Sequence, residues 1–137
     1  MTSRLTLGQA RAVHALMKVD VAKDLPRPFD YKSCVESLPA AIVMNGFGQA
    51  CATLLAKAGG ASGDTDAHRL VYDHLEDWLC VCVAMGLKKP LMQAVVHSDQ
   101  SKYCHAQAEA LAYLVWLKKF AQAFLPRQAK GAGNGQD

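Results

Sequence analysis

The sequence predicts an all-α fold, a single compact bundle of about six helices. Alanine, leucine, glutamine and lysine fill the periodic stretches, and these residues favour helices. No segment alternates apolar and polar residues as a half-buried strand would. With 51% hydrophobic residues, a chain of 137 residues is long enough to bury one core. Clusters of glycine and proline divide the chain into helix-length pieces.

The first helix is predicted from about Leu5 to Lys23. The segment LPRPFD ends it, because two prolines in four residues cannot continue a helix. A short second helix is expected from Asp30, a good N-cap, to about Leu38. Pro39 then either breaks the pattern or occupies the first turn of a third helix. The apolar side of the first helix is expected to consist of Leu5, Val13, Leu16, Met17 and Val21.

The third helix contains NGFGQ, residues 45–49, and is expected to end at the glycine pair 59–60. Asn-Gly is a strong turn dipeptide, but the apolar positions continue at helical spacing on both sides, so we predict one helix. Two glycines inside a helix then need a packing reason, since small residues let a neighbour approach closely. We predict a tight helix crossing, with the amides fixing it, formed by Asn45, Gly46, Gly48 and Gln49.

The last three helices are predicted from their caps and terminators. Thr65 or Asp66 begins the fourth, which runs through VYDHLEDWLCVCVAM to the glycine at 86. A short fifth helix, PLMQAVVH, follows. The sixth is capped by Ser98 or Ser101 and continues to Leu125, where a proline stops it.

We predict one helical domain at residues 1–125 and a flexible glycine-rich tail at residues 126–137. The formal net charge is +3, unevenly spread: residues 1–57 carry +3, residues 58–77 carry −4 and residues 78–137 carry +4. Such a chain can present one face to a polyanion and another to a basic partner. Ordinary solvated helix surface is the alternative.

No signal peptide and no apolar run of the roughly 20 residues that a membrane span requires is expected from the sequence. The five cysteines are an odd number, so we expect reduced thiols in a cytoplasmic protein with no membrane contact.

Neither a metal, a cofactor nor a catalytic site is predicted. Cys80 and Cys82 point in opposite directions on a helix, so they cannot share an ion. Asp73 and Asp77 share a helical face and could hold Mg²⁺ with a phosphate, although a solvated acidic stripe is the simpler interpretation. Arg69, four residues before Asp73, is expected to pair with it. No nucleophile lies beside a base, so an enzyme is the least favoured hypothesis.

Basic residues form the strongest binding signal. Arg4, Arg11 and Lys18 are spaced seven apart, nearly one stripe of a helix, and Lys118-Lys119 follow Trp116. Such stripes contact phosphates without reading bases, although solubility alone would also explain them. The two tryptophans lie in apolar windows and are expected to be core anchors.

Four segments together resemble a known family: RLTLGQARAVHAL, SLPAAIVMNGFGQACATLLAK, HRLVYDHLEDWL and AQAEALAYLVWLKKFAQAF. In order and spacing they are similar to the small subunit of the type III-B CRISPR effector, the Cmr complex, over residues 4–125. The resemblance implies a non-catalytic helical subunit of antiviral defence. It also implies copies that stack head to tail into a short filament, contact with the large signature subunit, and contact with the guide and target RNA.

The resemblance and the charges together give a set of expected RNA-contacting residues: Arg4, Arg11, Lys18, Lys57, Lys118 and Lys119. The glycine and amide positions of NGFGQ are expected to be structural, with a direct RNA contact as the alternative. The competing hypothesis for the whole chain is a generic helical protein-interaction module without a nucleic-acid role.

Overall fold

The computed structural model describes residues 4–83 and 85–127. Six α-helices occupy most of this part of the chain, and it contains no strand, so the predicted all-α bundle is confirmed. Of the predicted tail, residues 126–137, the part from residue 128 onward lies outside the described residues. The helices are α1 (Leu7–Ala22), α2 (Pro28–Asn45), α3 (Phe47–Ala58), α4 (Ala67–Glu76), α5 (Leu91–Val96) and α6 (Gln100–Phe124); a π-helical segment (Asp77–Cys82) continues α4.

Helix α6 is the central element of the bundle. Its 25 residues span about 38 Å, and α1 and α2 both pack along it. Helices α3 and α4 pack against each other and against α2. In the core between these helices, the side chains of Tyr113, Leu114 and Leu117 of α6 are fully buried.

No helix in the described part of the chain is both long and apolar enough to cross a bilayer.

Side chains at the helix starts explain where three helices begin. Thr6 and Gln9 form a reciprocal capping box at α1, and Asp66 accepts the Arg69 N–H at α4, as predicted. The predicted serine cap of the last helix is wrong. Asp99 occupies that position, and its carboxylate accepts the Lys102 N–H at 2.8 Å.

Pro39 lies inside α2, so the predicted boundary between Leu38 and Pro39 is wrong. A proline in a helix interior costs about 3 kcal/mol. Val35, Leu38 and Ile42 flank it and are buried against the rest of the core. The burial of these three large side chains offsets that cost. Residue spacing and helix propensity do not include this burial, so they could not predict that the helix continues through Pro39.

The chain turns within NGFGQ, so the prediction of one continuous helix is also wrong. Gly46 has φ 90° and ψ 156°, a conformation open to glycine and rarely adopted by L-residues. Its N–H closes α2 on the Ile42 carbonyl at 2.8 Å. Helix α3 then begins at Phe47, and its left-handed C-cap at Gly59 matches the predicted end.

The apolar side predicted for α1 faces outward. Val13, Leu16, Met17 and Val21 are 45–60% exposed, and the buried side instead carries His14, Ala15, Val19 and Ala22. Small residues let α1 lie close to α6, and polar partners on the π segment and on α6 hydrogen-bond the histidine. Periodicity located both faces but could not decide which one is buried.

The fourth helix does not remain α-helical to residue 86. From Asp77 to Cys82 it is π-helical, and the Val83 N–H bonds the Trp78 carbonyl at 2.9 Å, five residues back. One extra residue in the turn re-aims the side chains that follow, and π segments are frequent at functional sites.

Candidate functional site

Arg11 and Lys18, two of the predicted RNA-contacting residues, lie beside acidic groups. Arg11 forms a two-point ion pair with Glu109 of α6, at 2.7 and 2.9 Å. The Lys18 ammonium lies 3.6 Å from an Asp77 carboxylate oxygen. The predicted stripe on α1 is therefore divided, since Arg4 is exposed while the other two cations are half-buried in contact with carboxylates.

Lys57, Lys118 and Lys119 are placed differently. Lys57 lies in the last turn of α3 and is exposed, Lys119 is exposed on α6, and Lys118 is half-buried beside it. Within residues 4–83 and 85–127, none of these three ammonium groups forms an ion pair. They keep their charge available to an external anion.

These lysines border two grooves on either flank of α2. Lys57 lies in the groove between α2 and α3, with Ser37, Ala41 and Asn45. Lys118 and Lys119 lie in the groove between α2 and α6, together with Pro39. The structure therefore brings lysines from two separate sequence segments to grooves on the two sides of α2.

A further basic groove was not among the predicted sites. It lies where α5 meets the start of α6 and includes Lys88, His97 and Lys102, together with the carboxylate of Asp99. The lysine pair at residues 88–89 was visible in the sequence, but the approach of Lys102 depends on the fold.

The NGFGQ segment marks the contact between α3 and α6. The Phe47 N–H donates to the Gln107 side-chain oxygen at 2.9 Å, and the Gly48 N–H donates to the Tyr103 hydroxyl at 2.8 Å. Two N–H groups of the first turn of α3, which no helical carbonyl can reach, are thus capped by α6.

The polar groups that meet at this contact differ from those predicted to fix a helix crossing. Asn45 and Gln49 are both exposed, and the amide at the crossing is Gln107. The nearest atom that a Cβ at Gly48 would meet is the Tyr103 hydroxyl oxygen, at 3.3 Å.

A chain of buried polar groups joins α1, the π segment and α6. Glu109 accepts hydrogen bonds from Arg11 and from the Trp78 indole, which lower the pKa of its carboxyl despite burial. Burial lowers the pKa of His14, so its imidazole is neutral at neutral pH. Burial alone would raise the pKa of Asp77, but the bond from His14 and the charge of Lys18 hold it below the usual range.

The carboxylates of Asp73 and Asp77 have separate partners. Arg69 binds Asp73 at 2.9 Å, which confirms the predicted pairing. Asp77 instead faces His14 and Cys82, and these three side chains bring their ligand atoms within 4.8 Å of one another. Sequence spacing could not find this cluster, because His14 lies 63 residues before Asp77.

The two tryptophans differ in burial. Trp78 is buried as predicted, whereas Trp116 is half-buried against Phe120.

Comparison with known proteins agrees with this architecture. Residues 7–124 match the family model described as CRISPR-associated protein (Cas_Cmr5). The crystal structure of a CRISPR-associated Cmr5 family protein from Thermus thermophilus is similar, with a TM-score of 0.71 and 25% sequence identity. The match covers 90% of this chain and all of that one. The chain belongs to the Cas_Cmr5 family of CRISPR-associated proteins.

Proposed function

We propose that this chain is a non-catalytic structural subunit of a type III-B CRISPR effector that contacts the target-RNA backbone and stacks head to tail with copies of itself. Family membership supports the coarser part, a structural subunit of a Cmr complex. In that role the chain also meets the other subunits, the large signature subunit among them, in the cytoplasm.

One observation carries the RNA contact: Lys57, Lys118 and Lys119 border the grooves along α2 and form no ion pair within the described residues. Unpaired ammonium groups bind phosphate through charge and carry no base information. Such a contact suits a subunit of an RNA-guided complex, where base pairing with the guide supplies the sequence specificity. Arg11 and Lys18 support the fold first, because both already face carboxylates.

The exposed apolar side chains support protein contacts. Val13, Leu16, Met17 and Val21 form a stripe along α1, and Met44 at the end of α2 is 81% exposed. Contiguous apolar surface of this kind marks interaction sites more often than single exposed residues do. Two different patches on one chain also suit a heterologous contact, which builds filaments when the rotation does not close.

The RNA contact is tested with a double charge reversal, Lys118→Glu with Lys119→Glu, assembled into the complete effector complex. Target-RNA affinity is measured across a salt series. Each lost phosphate contact should lower the slope of log affinity against log salt by about 0.7 to 0.9. The expected result is weaker retention and a shallower slope with the complex intact.

The matched control reverses another adjacent lysine pair away from the α2 grooves, Lys88→Glu with Lys89→Glu, whose side chains are exposed and form no ion pair within the described residues. Both variants change the net charge equally, so a general loss of positive charge would weaken them alike. Equal retention by the two variants at every salt concentration would rule out the role given to Lys118 and Lys119. It would favour the second candidate, a helical interaction module that the exposed stripe of α1 also supports.

A further inference from the structure

Three side chains with different metal-ligating atoms meet at one end of the buried polar chain. The His14 Nε2 atom lies 2.7 Å from an Asp77 carboxylate oxygen, and the Cys82 sulfur lies 3.7 Å from the same oxygen. All three ligand atoms lie within 4.8 Å of one another. We propose that His14, Asp77 and Cys82 form a binding site for Zn²⁺, separate from the lysines assigned to RNA.

The π-helical segment makes this cluster. Residues five apart on an α-helix point about 140° away from each other. In the segment Asp77–Cys82 the backbone bonds five residues back, and the side chains of Asp77 and Cys82 come to the same side. Helix α1 supplies His14 from the opposite direction. The ligands thus come from two elements of the fold.

The spacing suits a tetrahedral ion. Zn–N and Zn–O bonds of about 2.0 Å and a Zn–S bond of about 2.3 Å place ligand atoms roughly 3.3 to 3.6 Å apart. The sulfur–carboxylate distance of 3.7 Å is already close to that range. The imidazole and the carboxylate, now hydrogen-bonded at 2.7 Å, have to separate by about half an ångström.

Tyr113 provides the outer partner that a ligating histidine needs. Its hydroxyl lies 2.6 Å from His14 Nδ1. The Asp77 carboxylate only accepts hydrogen bonds, so without metal Nε2 carries the proton and Nδ1 accepts from Tyr113. With Zn²⁺ on Nε2 the proton moves to Nδ1, and the hydroxyl becomes the acceptor. A hydroxyl can take either role, so both tautomers are held in the same orientation.

Access and selectivity follow from the surroundings. Cys82 is exposed and Asp77 is 34% exposed, so an ion can enter from solvent, and a water completes the fourth position. On binding, the Cys82 thiol releases its proton to solvent. An imidazole and a thiolate favour Zn²⁺ over Mg²⁺, which prefers oxygen ligands. The Lys18 ammonium, 3.6 Å from Asp77, opposes the ion and must turn outward.

The test titrates the purified full chain with Zn²⁺ against a fluorescent chelator, and records the absorption spectrum with Co²⁺ as a substitute. We expect one equivalent bound and a sulfur-to-cobalt charge-transfer band. Cys82→Ser should remove the band and weaken Zn²⁺ binding by at least about tenfold, since loss of an outer partner of a metal ligand alone costs that much. Lys18→Met should strengthen binding, which a merely structural lysine would not do.

Cys104→Ser is the matched control, because Cys104 is another exposed free thiol, on α6 and outside the cluster. Its affinity for Zn²⁺ should equal that of the unchanged protein. Both serine variants remove an exposed thiol, so circular dichroism should show the same fold for each. Equal Zn²⁺ affinity in the two serine variants, or a cobalt band that persists in Cys82→Ser, would overturn the proposal.

Discussion

Arg11 of α1 and Glu109 of α6 are joined by two hydrogen bonds of 2.7 and 2.9 Å, although 98 residues separate them in the sequence. Glu109 is 6% exposed, and its Oε2 atom also accepts the indole N–H of Trp78. The pair therefore fixes the register of α1 along α6, the helix at the centre of the bundle. It also explains why a residue that looked like an RNA contact faces inward.

Arg11→Ala is expected to destabilise the isolated chain by about 2 to 3 kcal/mol. The loss follows because a buried carboxylate would keep only one strong donor. Urea unfolding of the isolated protein measures it. Arg4→Ala removes an exposed arginine of the same predicted stripe and should change stability by less than about 0.5 kcal/mol. Similar losses in both variants would contradict the structural role of Arg11.

Gly48 and Tyr103 should be energetically coupled. A Cβ at residue 48 would lie 3.3 Å from the Tyr103 hydroxyl and 3.7 Å from Val95, so alanine is tight and leucine has no room. We expect Gly48→Leu to cost about 1 to 3 kcal/mol through overpacking, and to reduce folding or assembly before it affects RNA binding. Thermal unfolding of the isolated chain checks the stability.

A double-mutant cycle sharpens this prediction. Tyr103→Phe removes the acceptor of the Gly48 N–H, at a cost of about 1 to 3 kcal/mol, and also removes the oxygen that a new Cβ would meet. Gly48→Ala should therefore cost less in the Tyr103→Phe background than in the unchanged protein. Strict additivity of the two changes would show that the contact does not constrain residue 48.

The helices were predictable from the sequence where local signals dominate, and the contacts between them were not. Asp66 and Gly59 act as caps through their own side chain and backbone, so their positions could be predicted. Pro39 remains helical because buried neighbours outweigh its cost, and Gly46 turns because two side chains of α6 cap the helix that follows. Helix propensity includes neither the burial around Pro39 nor the capping by α6, since both are tertiary contacts.

The candidate site was also predictable only in part. The sequence identified Lys57, Lys118 and Lys119 as cations, and the fold places them at the edges of α2. It identified Arg11 and Lys18 equally well, but their carboxylate partners are distant in sequence. A charge on a helix face is visible in a sequence, whereas its neutralisation by another helix is a tertiary property.

Stability should fall as the pH is lowered from 6.5 to 5, because His74 is buried. Burial lowers its pKa from 6.5 to about 3, and its Nδ1 atom lies 2.7 Å from the Tyr31 hydroxyl. In this window the unfolded chain binds a proton that the folded chain does not, so protonation favours unfolding. One such group removes about 1.5 kcal/mol between pH 6.5 and pH 5.

His74→Leu should flatten this pH dependence by one proton. Its stability at pH 7 is expected to be lower than that of the unchanged protein, because the Tyr31 hydroxyl loses its partner. Urea unfolding at pH 7, 6 and 5 with a chelator present gives the slopes. The range stays above the ordinary pKa values of the carboxyls, which would add their own dependence below it. An unchanged slope in the variant would assign the effect to another group.

Met17→Glu tests whether the exposed apolar stripe of α1 is a protein contact. Met17 is 60% exposed, so the substitution should leave the stability of the isolated chain within about 0.5 kcal/mol. A charge in the middle of a buried apolar contact is costly to desolvate, so incorporation into the effector complex should fall. Co-purification with the other subunits measures that incorporation.

Val96→Glu is the matched control, since Val96 is 59% exposed and lies on α5, away from the stripe. Full incorporation of Met17→Glu, or an equal loss in Val96→Glu, would remove the stripe from the interface and leave the contact to another surface.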